Sequence, residues 1–74
     1  MASAVVDRAV FQVEYFDGIQ YVLRVAHAVG SDRFIVYDRY DDGSESLIRR
    51  RVNGQMQTTF SQTECVCLLD EVVY

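Results

Sequence analysis

The stretch SQTECVCLLDEV, residues 61–72, changes the pattern of the chain from a period of two to the period of a helix. Ser61 and Glu64 stand three residues apart, and at this spacing each side chain can accept a hydrogen bond from the backbone N–H group of the other. The apolar residues that follow recur at intervals of three and four, at Cys65, Leu68, Leu69 and Val72. The stretch therefore predicts an amphipathic helix over about 62–73 that lays one apolar stripe on a core.

The residues before this helix alternate with a period of two and are divided by turn sequences, which predicts antiparallel strands over about 8–60. Asn53-Gly54 is a strong hairpin signal and predicts one strand near Leu47–Val52 and another near Gln55–Phe60. The predicted fold class is α+β. A small antiparallel sheet of four to five strands, built from hairpins, packs against one C-terminal helix in a single small domain, 1–74.

The pairing of the first three strands is predicted by matching apolar residues across the turns. A three-residue first loop, Phe16-Asp17-Gly18, sets Val13 opposite Tyr21, and a four-residue second loop sets Val25 opposite Val36. The helix is then expected to cover a core face made of Phe11, Val13, Tyr21, Leu23, Val25, Phe34, Val36 and Ile48.

Polar residues in this predicted register need separate interpretations. A three-residue loop at Asp41-Asp42-Gly43 sets Arg39 opposite Glu45, an opposite-charge pair. Asp38 falls on the core face, where two interpretations stay open: the sheet twists free of the helix there, or the carboxylate is buried, hydrogen-bonded and raised in pKa. His27, the one histidine of the chain, also falls on the core face and is interpreted as a structural imidazole.

The sheet face that one helix leaves uncovered is the predicted functional surface. Tyrosine and arginine are enriched at protein interfaces, and arginines around a tyrosine also suit an anion or a stacked nucleotide. An ordinary solvated face is a third interpretation, since charges along an edge blunt aggregation. The predicted partner- or anion-binding residues are Arg24, Tyr37, Arg39, Arg49 and Arg51, among the apolar residues Val10, Val22, Ala26, Ile35 and Leu47.

Composition narrows the classes of function. The chain has 74 residues, half of them apolar, and a net charge of −4. A small body with so much apolar surface is expected to form a homodimer or to be covered by a partner, and the acidic balance argues against general nucleic-acid binding.

The cysteines and the lack of chemical motifs narrow the classes of function further. Cys65 and Cys67 point to opposite sides of the predicted helix, so they do not bridge, and a reducing cytoplasm is expected. No catalytic motif, set of metal ligands or membrane-spanning run stands out. We therefore predict that the protein is not an enzyme, binds no cofactor or metal, and does not associate with a membrane.

The order of strands followed by a helix resembles that of the single-strand-binding transcriptional coactivators, over Phe34–Tyr40, the Asp-Gly turn and Ser61–Val72. The lysine- and glycine-containing segment before the helix of that family has no counterpart here, so its function is not carried over. The small chain is also similar in style to phage-encoded inhibitors, anti-CRISPR proteins included, which implies a viral protein of the host cytoplasm. We predict a non-catalytic module that binds another protein and modulates or inhibits it, with a nucleic-acid or nucleotide binder as the alternative.

Overall fold

The structure, a computed structural model, describes residues 10–73. This part of the chain forms β1 (Val10–Phe16), β2 (Tyr21–Gly30), β3 (Arg33–Arg39), β4 (Glu45–Leu47), β5 (Arg50–Val52), β6 (Gln55–Gln57) and helix α1 (Gln62–Asp70). The first four strands make an antiparallel sheet in the order β1-β2-β3-β4, and β5 and β6 make a separate two-stranded hairpin. The predicted α+β class, with a small antiparallel sheet and a C-terminal helix, is confirmed.

Helix α1 begins where the capping pattern predicts. The hydroxyl of Ser61 accepts the N–H of Glu64 at 3.3 Å, and the Glu64 carboxylate accepts the N–H of Ser61 at 2.8 Å. Asp32, in the turn between β2 and β3, accepts the N–H of Gln62 at 2.9 Å and so ties the start of the helix to the sheet. The helix ends at Asp70, three residues before its predicted end at 73.

The core lies between α1 and one face of the four-stranded sheet. It consists of Ala26, Phe34, Val36, Phe60, Cys65 and Leu68, and Val72 is buried as well. Phe60 is absent from the predicted core but is fully buried, and its N–H and C=O both bond to Phe34 at 2.8 Å. This bridge holds the chain against β3 immediately before the helix begins.

The loop between β1 and β2 is longer than predicted and moves their pairing by three residues. The Asp17 carboxylate accepts the N–H groups of Ile19 and Gln20 at 2.8 and 2.9 Å, which keeps both residues in the loop. As a result Val13 pairs with Arg24 and not with Tyr21. A displacement by an odd number of residues exchanges the two faces of a strand, so β2 is turned over relative to β1.

The turn between β2 and β3 is shorter than predicted and moves their pairing by one residue. Asp32 adopts the left-handed conformation (φ 53°) in a two-residue turn, and the register shifts between Ala28 and Gly30. Val25 therefore pairs with Tyr37 and not with Val36.

Both displacements, of three residues and of one, are odd, so β1 and β3 keep their predicted faces relative to each other. Only β2 has its two faces exchanged. Phe11 and Val13 share the helix side of the sheet with Phe34 and Val36, as predicted. The prediction was wrong for β2, where Val22, Arg24 and Ala26 face the helix and Tyr21, Leu23, Val25 and His27 face away from it.

The last two turns follow the prediction. Arg39 pairs with Glu45 across the third turn, and Val52 pairs with Gln55 across Asn53-Gly54. The strands around Asn53-Gly54 are shorter than predicted, because Leu47 belongs to β4 in the other sheet.

Candidate functional site

The face of the four-stranded sheet that lies away from α1 is the candidate binding surface, and we call it the open face. Strand alternation and pairing assign to it Gln12, Glu14, Phe16, Tyr21, Leu23, Val25, His27, Arg33, Ile35, Tyr37, Arg39, Glu45 and Leu47. Its charged residues lie on the two edge strands and at the ends of β3, whereas the middle of the face is apolar. This arrangement leaves an apolar patch with a charged rim.

Val25 forms the floor of this patch. It is 3 % exposed although α1 lies on the other face of the sheet, because Gln12 and Tyr37 flank it on the neighbouring strands. Tyr37 in turn pairs with Leu47, which is 42 % exposed. A shallow concavity beside them is lined by His27, Ile35, Tyr37, Glu45 and Leu47. The centre of the open face therefore offers a partly exposed aromatic ring and aliphatic side chains on a rigid floor.

The apolar surface continues along the open face to the loop between β1 and β2. Phe16 and Tyr21 pair across the strands there, with their rings edge to face and centroids 5.2 Å apart. Ile19, in the loop, is 86 % exposed.

Arg39 is on the open face, as predicted, and is already paired. Its guanidinium donates to the Glu45 carboxylate at 2.9 and 3.1 Å and lies 5.7 Å from the centre of the Tyr37 ring. The ion pair offsets the charge of Arg39 and holds a cation beside the Tyr37 ring. Tyr37 and Arg39 are the two predicted site residues that the structure brings together on this face.

Arg24 was predicted on the open face, and this prediction was wrong. The inversion of β2 turns it inward, where it is 6 % exposed between the sheet and the end of the helix. Its guanidinium donates two hydrogen bonds to the Asp38 carboxylate, at 2.8 and 3.0 Å. It also donates to the Leu68 carbonyl at 3.0 Å and to the Glu71 carboxylate at 2.9 Å. The hydrogen bond with Asp38 raises the pKa of Arg24 above its already high ordinary value, so the side chain stays charged.

The carboxylate of Asp38 explains why the charged Arg24 side chain is stable in this buried position. It is 5 % exposed and also accepts the hydroxyl of Tyr15 at 3.0 Å, so the interpretation as a buried, hydrogen-bonded carboxylate holds. Burial, followed by the hydrogen bond to Asp38, raises the pKa of Tyr15. A carboxylate that is charged on a core face is best compensated by a buried cation, and this was the sequence signal that could have placed Arg24 opposite Asp38.

Arg49 and Arg51 lie outside the four-stranded sheet. Arg49 is in the connection between β4 and β5, and Arg51 is in β5 opposite Met56. Arg50 holds its guanidinium carbon 5.6 Å from the centre of the Phe60 ring. The predicted cluster of four arginines on one sheet face is therefore not formed.

His27 was predicted on the core face, and this prediction was wrong as well. It lines the open concavity and is partly exposed, because the displaced pairing with β3 sets it opposite Ile35. Cys65 is buried on the other side of the sheet, so the imidazole does not lie beside this thiol as the base of a cysteine nucleophile would.

The part of the chain that the structure describes offers neither a cluster of metal ligands nor a membrane-spanning helix. Within residues 10–73, no three side chains of histidine, cysteine, aspartate or glutamate come together as a metal site. The described residues contain no helix with the length and apolar character needed to cross a bilayer. Comparison of the chain with protein-family models, curated proteins and solved structures finds no match.

Proposed function

We propose that this protein is a non-catalytic binding module that attaches to another protein through the open face and modulates or inhibits that partner. The observation that supports it is the apolar centre of a sheet face that no helix within residues 10–73 covers, with charged residues at its rim. Specific protein interfaces have this anatomy, with an apolar core and a polar surround. Exposed apolar patches rimmed by polar residues mark interaction sites.

Tyr37 and Leu47 are the proposed anchors. A tyrosine presents a large contact area and loses little conformational freedom on binding. The Arg39–Glu45 ion pair already restrains the surroundings of the ring, which reduces the entropy that a partner would have to remove.

The charges of the open face favour a protein over a phosphate-bearing ligand. Arg33 and Arg39 are balanced on this face by Glu14 and Glu45, and Arg24 is committed to Asp38. A phosphate binder needs cations that are free to replace counterions. The nucleic-acid or nucleotide alternative thus lacks the four-arginine group on which it was based, and it remains as an outcome of the test below.

The cellular setting is part of the same proposal. Cys65 and Cys67 are both free thiols, which favours a reducing cytoplasm. An inhibitor of the kind that phages encode would act in the cytoplasm of its host, and we propose that setting for this chain.

The test compares the tagged chain with two variants that introduce the same charge at different places. Leu47→Asp changes the open face, whereas Met56→Asp changes the β5–β6 hairpin at a residue of similar exposure, 49 % against 42 %. Each protein is used for capture from host lysate with and without nuclease. The captured partner is then purified and titrated against all three proteins.

We expect one protein to be captured by the wild type and by Met56→Asp in both samples, and to bind Leu47→Asp at least tenfold more weakly, or about 1.4 kcal/mol. Equal binding by the two variants would contradict the assignment to the open face. Recovery of nucleic acid, with protein bands that vanish after nuclease, would overturn the proposal in favour of the phosphate-binding alternative.

A further inference from the structure

The two edges of the four-stranded sheet differ in how well they are protected. β4 has three residues, and Glu45 at its start forms the ion pair with Arg39. β1 has seven residues, contains no proline, lysine or arginine, and pairs with β2 without a break. No other strand within residues 10–73 pairs with the outer edge of β1. Proteins usually blunt such an edge, and a long regular one is a template for another strand.

The sequence of β1 is VFQVEYF, with Val13 at its centre. From Val13 toward either end, the side chains are polar, then aromatic, then apolar. If a second copy lies antiparallel with its Val13 on the same two-fold axis, Phe11 faces Tyr15 of that copy and Gln12 faces its Glu14. Aromatic residues then meet aromatic residues, and an amide meets a carboxylate. Such cross-strand pairs stabilise antiparallel sheets.

The backbone of β1 permits this register. The N–H of Asp17 donates to the carbonyl of Gln20 at 3.0 Å, which sets the hydrogen-bonding phase of the β1–β2 ladder. By alternation, Val13 directs its backbone groups toward β2, whereas Gln12 and Glu14 direct theirs outward. Each Gln12–Glu14 pair between copies can exchange two N–H···O bonds, so the two pairs around the axis provide four in all.

The helix side of β1 also leaves space for a second copy. Helix α1 packs over β2 and β3, and an apolar groove beside β1 is lined by Phe11, Cys65, Val66, Leu69 and Asp70. Phe11 and Val66 are exposed there. In the register above, Tyr15 of the second copy would lie beside Phe11 and reduce this exposure.

We propose that two copies of this chain join through their β1 edges, antiparallel about Val13, into one continuous eight-stranded sheet. The proposal does not depend on a partner for the open face. If both proposals hold, the two open faces form one two-fold symmetric surface, and the dimer binds two equivalent partners or a symmetric one.

The first test is the concentration dependence of mass for the full chain, by analytical ultracentrifugation from micromolar to millimolar concentrations. Two variants change Gln12, an exposed side chain, and keep its backbone N–H. Gln12→Glu sets a like charge opposite Glu14 of the other copy, twice per dimer, and Gln12→Lys sets an opposite charge there. Since one cross-strand pair changes an equilibrium by a factor of about 1.4 to 5, the dissociation constant should rise about 2- to 30-fold in the first variant and fall in the second.

The second test is Glu14→Pro, which removes an outward N–H and leaves the bonds to β2 in place. It removes two of the four bonds between Gln12 and Glu14 of the two copies, and we expect a monomer with an unchanged circular dichroism spectrum. A wild-type monomer throughout the concentration range would overturn the proposal. A dimer whose affinity moves in the same direction in both Gln12 variants would also overturn it, because that dimer must use another surface.

Discussion

Removal of the buried guanidinium of Arg24 is expected to cost this protein a large part of its stability. Arg24→Met keeps most of the aliphatic stem and removes the two bonds to Asp38, the bond to the Leu68 carbonyl and the bond to Glu71. The Asp38 carboxylate would remain buried with the Tyr15 hydroxyl, 3.0 Å away, as its one side-chain donor among the described residues.

The magnitude follows from the burial of both partners. Breaking a buried ion pair from one side costs about 3–5 kcal/mol, because an uncompensated charge is left behind. At about 0.05–0.15 kcal/mol per residue, a chain of 74 residues has a total free energy of unfolding of about 4–11 kcal/mol. The bond to Glu71 adds little, since that carboxylate is exposed. The variant should therefore lose between about a quarter and all of the free energy of unfolding of the fold.

The assay is urea unfolding followed by far-ultraviolet circular dichroism. The double variant Arg24→Met/Asp38→Leu leaves no buried charge and should be more stable than Arg24→Met alone, and it stays measurable if the single variant does not fold. Arg39→Met is the control, because it breaks an exposed pair and should cost at most about 1 kcal/mol. A cost for Arg24→Met no larger than that of this control, or a double variant no more stable than the single one, would contradict a stabilising buried ion pair.

Three further predictions test local features. Ser61→Ala removes half of the capping box and should lower the free energy of unfolding by about 1 kcal/mol in the same urea assay, whereas an unchanged midpoint would contradict a stabilising cap. Burial and the bond to Asp38 raise the pKa of Tyr15 above its ordinary 10.0, so its neutral form stabilises the fold below pH 10, and this contribution is lost as the pH rises through the folded-state pKa. Thermal unfolding at alkaline pH should show a smaller decline for Tyr15→Phe than for the wild type, and parallel declines would refute the role of this hydroxyl. Burial also raises the pKa of the Cys65 thiol, so iodoacetamide should modify exposed Cys67 in the folded protein and Cys65 only after unfolding. Peptide mass spectrometry measures the modification rate of each thiol, and equal rates in the folded protein would contradict this prediction.

The candidate site could be predicted only in part, because its membership depends on loop lengths. Tyr37 and Arg39 were placed on the open face by the alternation of β3, which is a property of neighbouring residues. Arg24 and His27 were misplaced because the pairing of β2 depends on the conformations of two connections. Asp17 holds two loop amides with its side chain, and Asp32 takes a left-handed conformation that is more typical of glycine.

The sequence by itself determined the features that depend on residues close together in the chain. The capping residues Ser61 and Glu64 start the helix, its apolar spacing selects the buried stripe, and Asn53-Gly54 makes its hairpin. Only the tertiary structure decided which face of β2 points inward. Both faces of YVLRVAHAVG carry apolar residues, so hydrophobic burial alone does not choose between them. The inward face contains a charge that is stable there only when Asp38 and the end of α1 close around it, and that condition exists only in the assembled fold.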